Sequence, residues 1–225
     1  MASVLLLSGG MDSLVAAYAS RREHQPALAL TFDYGQRAAR RELAAALAVA
    51  ADLGITHRYI KLPWLARLTP PSLTDPGADL GAQTDDSVWV PARNAVFLSI
   101  AACFAEALGC EAIVCGFNAE EGASFPDNTP EFVSRINAVL KLATRNAPRV
   151  ISPTISLTKP EILRLGVEVG APLRFIWSCY GPGPEHCWRC PSCLRLRAAL
   201  QETGLWASFA EPQGPDEGQN SRERC

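Results

Sequence analysis

LLLSGGMDSLVAAY (residues 5–18) runs an apolar segment straight into a glycine pair, an acid, two serines and a second apolar segment. A glycine-rich turn between a strand and a helix presents backbone N–H groups to an anion, and the helix N-terminus adds its dipole. Glycine permits close approach and positive φ, while Ser8 and Ser13 supply hydroxyl donors. Asp12 does not bind phosphate itself at neutral pH, but it can hold a Mg²⁺ that does. The ligand this junction suits is a polyphosphate. No Lys-Ser/Thr pair follows the glycines, so it is not a Walker loop. Nor is it G-x-G-x-x-G, which disfavours a dinucleotide.

Outward from this junction the chain alternates. Val4–Leu7 reads as a short buried strand followed by a helix from about Asp12 to Arg22. ALALTF (27–32) reads as a second strand, 36–54 as an alanine-rich helix stopped by Gly54, and HRYIKL (57–62) as a third strand. Residues 63–92 carry five prolines and no sustained period, which predicts a long loop, functional or disordered, with one short helix. A helix over 94–108, a strand over 111–116, a helix near 130–145 and a strand over 149–152 resume the rhythm. Thr158 and Glu161 then open a further helix as a capping box. Strands alternating with helices argue for an α/β fold with a doubly wound parallel sheet. The expected division is a catalytic domain over 1–175, a metal-binding segment with a closing helix over 176–205, and a disordered tail over 206–225.

The 225 residues include 48% apolar and 20% charged residues, with a formal net charge of −2. No global field draws such a chain to nucleic acid or anionic lipid. There is no signal-peptide pattern and no apolar run of 18 residues, so a cytoplasmic location without membrane contact is expected. In that compartment eight cysteines serve as thiols or metal ligands rather than disulfides.

SCYGPGPEHCWRCPSC places Cys179, Cys187, Cys190 and Cys193 in a C-x7-C-x2-C-x2-C array. Two-residue spacers let successive thiolates turn towards one centre, and four thiolates suit one structural, tetrahedral Zn²⁺ per chain. An iron–sulfur cluster is the competing occupant, since C-x2-C-x2-C also ligates clusters. His186 reads as a group beside the metal or at the surface rather than a ligand. Cys103, Cys110 and Cys115 read as core thiols, and Cys225 as a tail residue without function.

The string SGGMDS, set after the first strand, resembles the pyrophosphate-binding loop of the N-type ATP pyrophosphatases (the PP-loop superfamily). The ordered set SGGMDS, FDYGQR, VPARNAVFLS, FPDNTPEF, LTKPEI and the cysteine array further resembles the 7-cyano-7-deazaguanine synthase family, over about residues 3–200. The resemblance implies an adenine nucleotide alpha hydrolase-like fold and a ligase that uses ATP and Mg²⁺. It implies conversion of 7-carboxy-7-deazaguanine and ammonia to the nitrile through adenylated carboxylate and amide intermediates, in a homodimer without direct nucleic-acid contact. ATP would be held by Leu7, Ser8, Gly9, Gly10, Met11, Asp12, Ser13 and Leu14, with Tyr34 and Gln36 near the adenosine. Ser8, Asp12, Ser13 and Lys159 are the candidate catalytic residues.

For the deazaguanine, a carboxylate can accept the paired N–H groups of its edge while an aromatic ring stacks on its face. The segment 116–132 offers acids and phenylalanines for this. The candidate contacts are Arg93, Asn94, Phe117, Glu120, Asp127, Glu131 and Phe132. Two departures from many bacterial members are Ala38, where a histidine is usual, and Asn128, where a cysteine is usual. A tRNA-thiolating enzyme shares the SGGxDS loop but calls for a basic face, which this composition lacks. A zinc-ribbon adapter with a vestigial ATP site is disfavoured by the intact Ser8, Asp12 and Ser13.

Overall fold

The computed structural model describes residues 1–68, 73–75, 77–82 and 84–210. Five strands form one all-parallel sheet: β1 (Ala2–Leu6), β2 (Gln25–Asp33), β3 (Thr56–Lys61), β4 (Ala112–Val114) and β5 (Arg149–Ile151), in the order β3-β2-β1-β4-β5. Alternation along the strands buries both faces. Leu5, Ala29 and Val114 enter one core, and Val4, Leu28, Leu30 and Ile113 enter the other. Such two-sided burial is why β1 reads as an unbroken apolar run rather than as an alternating one.

Against the first face pack α1 (Met11–Ser20), α2 (Ala39–Asp52), α8 (Lys159–Glu168) and α9 (Pro191–Glu202); against the second, α5 (Arg93–Leu108) and α7 (Pro130–Ala143). Helix α1 buries Met11, Leu14, Val15 and Tyr18, each contributing about 1.5–3 kcal/mol. Helix α2 ends where the glycine predicts: Gly54 has φ +66°, its N–H donates to Ala51 O, and Ile55 N–H donates to Ala50 O. These two bonds satisfy carbonyls that the helix end leaves open. At the start of α8 the Glu161 carboxylate accepts from Thr158 N and Thr158 Oγ1, both at 2.8 Å.

The loop after β3 contains two short helices rather than one, α3 (Leu65–Leu68) and α4 (Asp85–Val88). A third short helix, α6 (Ala119–Ser124), follows β4. The chain does not turn irregular after residue 205 as expected. Trp206–Ala210 form α10, because Trp206 sets its ring edge-on to Trp188 and Phe209 joins the same apolar cluster. The rest of the expected tail, with Cys225, lies outside the described residues. Cys103 is also not a core thiol. Its position on α5 points outward and leaves it exposed, whereas Cys110 and Cys115 are buried. Residues Asp86–Leu108 are long and apolar enough to cross a membrane by length and composition. Trp89–Ala92 interrupt the helix there, and α5 spends its apolar face on the sheet through Leu98, Ala101, Ala102 and Ala105.

Candidate active site and four-cysteine metal site

Strand order reverses beside β1, with β2 on one side and β4 on the other. The crevice at the C-terminal ends of these strands is where open α/β sheets bind ligands. A cavity of about 270 Å³ lies there. Its floor is the Ser8–Ser13 turn. Gly9 has φ +79°, and a Cβ on it would stand 2.7 Å from Glu42 O, so the turn admits no side chain at that point. From the β4 side Gly116 closes against α1, where a Cβ would meet the Asp12 carbonyl carbon and Ser13 N at 2.4 Å. Ser13 Oγ donates to Gly10 O (3.1 Å), accepts from Ser8 N (3.3 Å) and lies 3.1 Å from Ser8 Oγ. No side chain caps Gly10 at the start of α1. The first helical turn is therefore open to an anion from the cavity.

Above this floor stands a buried charge cluster. Lys159 Nζ donates to Asp12 Oδ2 at 2.7 Å and to Glu121 Oε1 at 2.8 Å, although these residues lie on α8, α1 and α6. Burial alone would lower the Lys159 pKa, but the two carboxylates more than offset it and the pKa is raised. Desolvation raises Asp12 against the pull of Lys159. Glu121, pushed up by burial, is brought below the usual carboxylate range by Lys159. Asp12 Oδ1 is buried and has no hydrogen-bond partner. A bare carboxylate oxygen beside two hydroxyls and an open helix N-terminus fits Mg²⁺, which takes one or two carboxylates and completes its shell from phosphates and water.

The β2 side supplies Tyr34 and Gln36. Gln36 Nε2 donates to Phe32 O and to Glu42 Oε2 (2.7 Å), while its Oε1 accepts from Tyr34 N. Burial pushes the Glu42 carboxyl up to about 7. Arg93 Nη1 donates to the Tyr34 hydroxyl at 3.2 Å. It is presented by Ala92, whose φ of +53° places a non-glycine residue in the left-handed region directly before α5. Asn94 Nδ2 donates to Asp127 O at 3.4 Å, and burial raises the Asp127 pKa against the pull of Arg93.

Of the residues singled out from sequence, Leu7, Ser8, Gly10, Met11, Asp12, Ser13, Tyr34, Gln36, Arg93, Asn94, Phe117, Asp127 and Lys159 line this one cavity, as do Ala38 and Asn128. Gly9 and Leu14 support the floor from behind, Leu14 within the core. Three more do not reach the cavity. Glu120 turns back to accept from Lys159 N (2.6 Å). Glu131 is exposed and pairs with Arg135 one turn along α7. Phe132 packs edge-on against Phe117 from the core side. Sequence reasoning chose Glu120 over Glu121 because α6 has six residues, too few for a helical period to show which acid faces inward. It also missed Glu42, Trp89, Tyr180 and Arg195 on the cavity wall. No motif spacing marks Glu42 or Trp89. Tyr180 and Arg195 stand one and two residues from metal-type cysteines, and that adjacency was the only available signal.

The four cysteine sulfurs lie within 4.8 Å of one another, with Cys187 and Cys193 Sγ 3.9 Å apart. Four thiolates at 2.3 Å from one tetrahedral ion sit about 3.8 Å apart, so the set fits a single metal ion. The several irons of a cluster would hold them further apart. Backbone N–H groups of Gly181 and Cys187 point at Cys179 Sγ, and those of Cys190 and Cys193 at Cys187 and Cys190 Sγ. Such donors stabilise thiolate charge. His186 is not in the set. Its Nε2 accepts from Ser178 N (3.2 Å), and its ring stacks on Trp188 and lies tilted against Trp177. The segment is joined to the Ser8–Ser13 floor, where Trp177 N–H donates to Gly9 O at 2.8 Å, and to α2, where Arg41 Nε donates to Gly183 O at 2.9 Å.

The family model described as Queuosine biosynthesis protein QueC matches residues 2–204. A 7-cyano-7-deazaguanine synthase of Pelotomaculum thermopropionicum is 47% identical over 218 residues, covering 91% of this chain and 99% of its own. That of Desulforamulus reducens is 45% identical over 218 residues, covering 91% and 96%. A solved U34-tRNA thiolase, NcsA from Methanococcus maripaludis with its [4Fe-4S] cluster, aligns over 93% of this chain and 68% of its own at 15% identity, with a TM-score of 0.48.

Proposed function

The chain belongs to the QueC family of queuosine biosynthesis proteins, and from that premise we propose how its site makes 7-cyano-7-deazaguanine from 7-carboxy-7-deazaguanine, ammonia and ATP. It is an enzyme of the ligase type. The observation that carries the reading is the single cavity in which the Ser8–Ser13 floor and the Asp12–Lys159–Glu121 cluster face the Arg93, Asn94 and Asp127 wall.

In the proposed sequence a substrate carboxylate oxygen attacks the α-phosphorus of ATP, expelling pyrophosphate and leaving an acyl adenylate. Ammonia displaces AMP to give the amide. The amide oxygen attacks a second ATP in the same way, and loss of AMP and a proton leaves the nitrile. Negative charge builds on the leaving phosphates, so positioned donors and cations supply the catalysis and no protein nucleophile is required. Ser8 and Ser13 hydroxyls and the first N–H groups of α1 hold the phosphates. Lys159 stands ready to follow the leaving pyrophosphate, and its two carboxylate partners fix it until then. Mg²⁺, held by Asp12, would neutralise phosphate charge. A Zn²⁺ on Cys179, Cys187, Cys190 and Cys193 would be structural, since four protein thiolates leave no open position, and would fix the wall that carries Tyr180 and Arg195. A cytosolic setting keeps those thiols reduced. The assembly proposed is a homodimer, for which Val139 and Leu142 on α7 offer exposed apolar surface.

The test is mass spectrometry of purified protein incubated with ATP, Mg²⁺, ammonium and 7-carboxy-7-deazaguanine. The amide should appear first and the nitrile after it, without added RNA. Recovery of the unchanged acid while added tRNA acquires sulfur would overturn the reading.

A further inference from the structure

Two aromatic side chains on the cavity wall have no part in the phosphate chemistry. Trp89 ends α4 in the long loop after β3, and Phe125 ends α6 after β4. Their rings are parallel to within 8°, with centroids 6.0 Å apart, and both line the cavity while remaining partly exposed. Large apolar rings left uncovered beside each other in a cleft are suited to a flat ligand. Carbon surfaces stack at about 3.5 Å, so a ring held between two others keeps their planes about 7 Å apart. Trp89 and Phe125 are both only partly buried, so either ring can adjust to such a ligand by turning its side chain.

Next to the pair lies a fixed acid. Asp127 is 8% exposed, its Oδ1 accepts from Asn128 Nδ2 at 3.1 Å, and Asn94 Nδ2 donates to its backbone oxygen at 3.4 Å. A carboxylate accepts about four hydrogen bonds, so Asn128 leaves most of its capacity for a ligand. We propose that Trp89 and Phe125 are the specificity-determining contacts for the second substrate, gripping a flat guanine-type bicycle while Asp127 accepts the two adjacent N–H groups of its edge. This rests on the function proposed above and names the residues that select its substrate.

The adenine of ATP is the other planar group at hand, and the chemistry of the edge separates the two. A guanine-type edge offers two neighbouring donors, which suit a carboxylate. An adenine edge offers one donor beside a ring-nitrogen acceptor, whose lone pair a carboxylate repels. The β2 end of the cavity, with Phe32, Tyr34 and Gln36, remains for adenine.

Binding of 7-carboxy-7-deazaguanine to the full chain, measured by calorimetry without ATP, tests the assignment. Stacking on one aromatic side chain is worth enough that Trp89→Ala and Phe125→Ala should each weaken binding about ten- to hundredfold. Trp89→Phe should recover most of the loss, ATP affinity should stay within about twofold, and melting temperatures should stay near that of the wild type. Asp127→Asn, whose amide offers a donor and an acceptor, should shift preference towards the adenine-type analogue 7-carboxy-7-deazaadenine. Wild-type affinity for the acid in both alanine variants overturns the proposal, and so does a tenfold loss of ATP affinity instead. If the wild type makes nitrile normally, such results remove this assignment alone. If it neither binds the acid nor makes nitrile, both readings fall.

Discussion

Replacing Lys159 with methionine removes the cation from between Asp12 and Glu121 and leaves two carboxylates facing each other. Side-chain exposures are 9% for Lys159, 17% for Asp12 and 31% for Glu121. Removing one partner of a buried pair costs about 3–5 kcal/mol. The Asp12 pair is buried enough for the lower end of that range, whereas water beside Glu121 screens the second pair and adds little. A loss of about 3 kcal/mol lowers the melting temperature of a domain of this size by roughly 6–12 °C. The deficit should depend on pH with a definite sign. Without Lys159, burial and mutual repulsion hold the folded pKa values of both carboxylates above their unfolded values. The folded state then binds protons more tightly than the unfolded one, and stability falls as pH rises through that window. Scanning calorimetry should therefore find a larger gap between variant and wild type at pH 8 than at pH 5. Pyrophosphate release should fall by more than about a hundredfold if Lys159 follows the leaving group, a loss of roughly 2.7 kcal/mol of transition-state stabilisation. A melting temperature within 2 °C of wild type at pH 8, with turnover retained, would refute both the energetic and the catalytic role.

Gly116→Ala drives a methyl into the Asp12–Ser13 peptide, so it should destabilise by about 1–3 kcal/mol and weaken ATP binding, both readable in one thermal-shift titration. Ser8→Ala should lower turnover at least tenfold, about 1.4 kcal/mol, with the fold intact by circular dichroism. Glu42, raised to about 7, favours the folded state when protonated, so its contribution is lost as pH climbs from the unfolded carboxylate range through 7. Glu42→Gln should accordingly melt at or above the wild type at pH 8 in the absence of ATP, and the advantage should vanish near pH 4. Elemental analysis should find about one zinc and little iron per chain, with Cys190→Ser losing the metal and wild-type preparations colourless; a brown protein absorbing near 400 nm would reverse the metal assignment.

The strand–helix alternation, the glycine turn at Ser8–Ser13, the Gly54 stop, the Thr158–Glu161 cap and the cysteine array were all legible in the chain, because each is a pattern within a few consecutive residues. Each depends on local periodicity, on backbone freedom at glycine or on ligand spacing. The tertiary structure decided what those patterns leave open. It brought Glu121 rather than Glu120 to the Lys159 ammonium, sent Glu131 and Cys103 to the surface and kept Trp206–Ala210 in a helix. It brought Trp89 beside Phe125, and it tied the cysteine segment to Gly9 through the Trp177 N–H. In the short helix α6 no period exists to reveal the inward face. On α5 and α7 a single cysteine or acid is too weak a hydrophobic signal to fix rotation about the axis. The remaining contacts join residues tens to more than a hundred positions apart. They follow from the β3-β2-β1-β4-β5 strand order, which packs the ends of β1 and β4 together and which only the folded sheet displays.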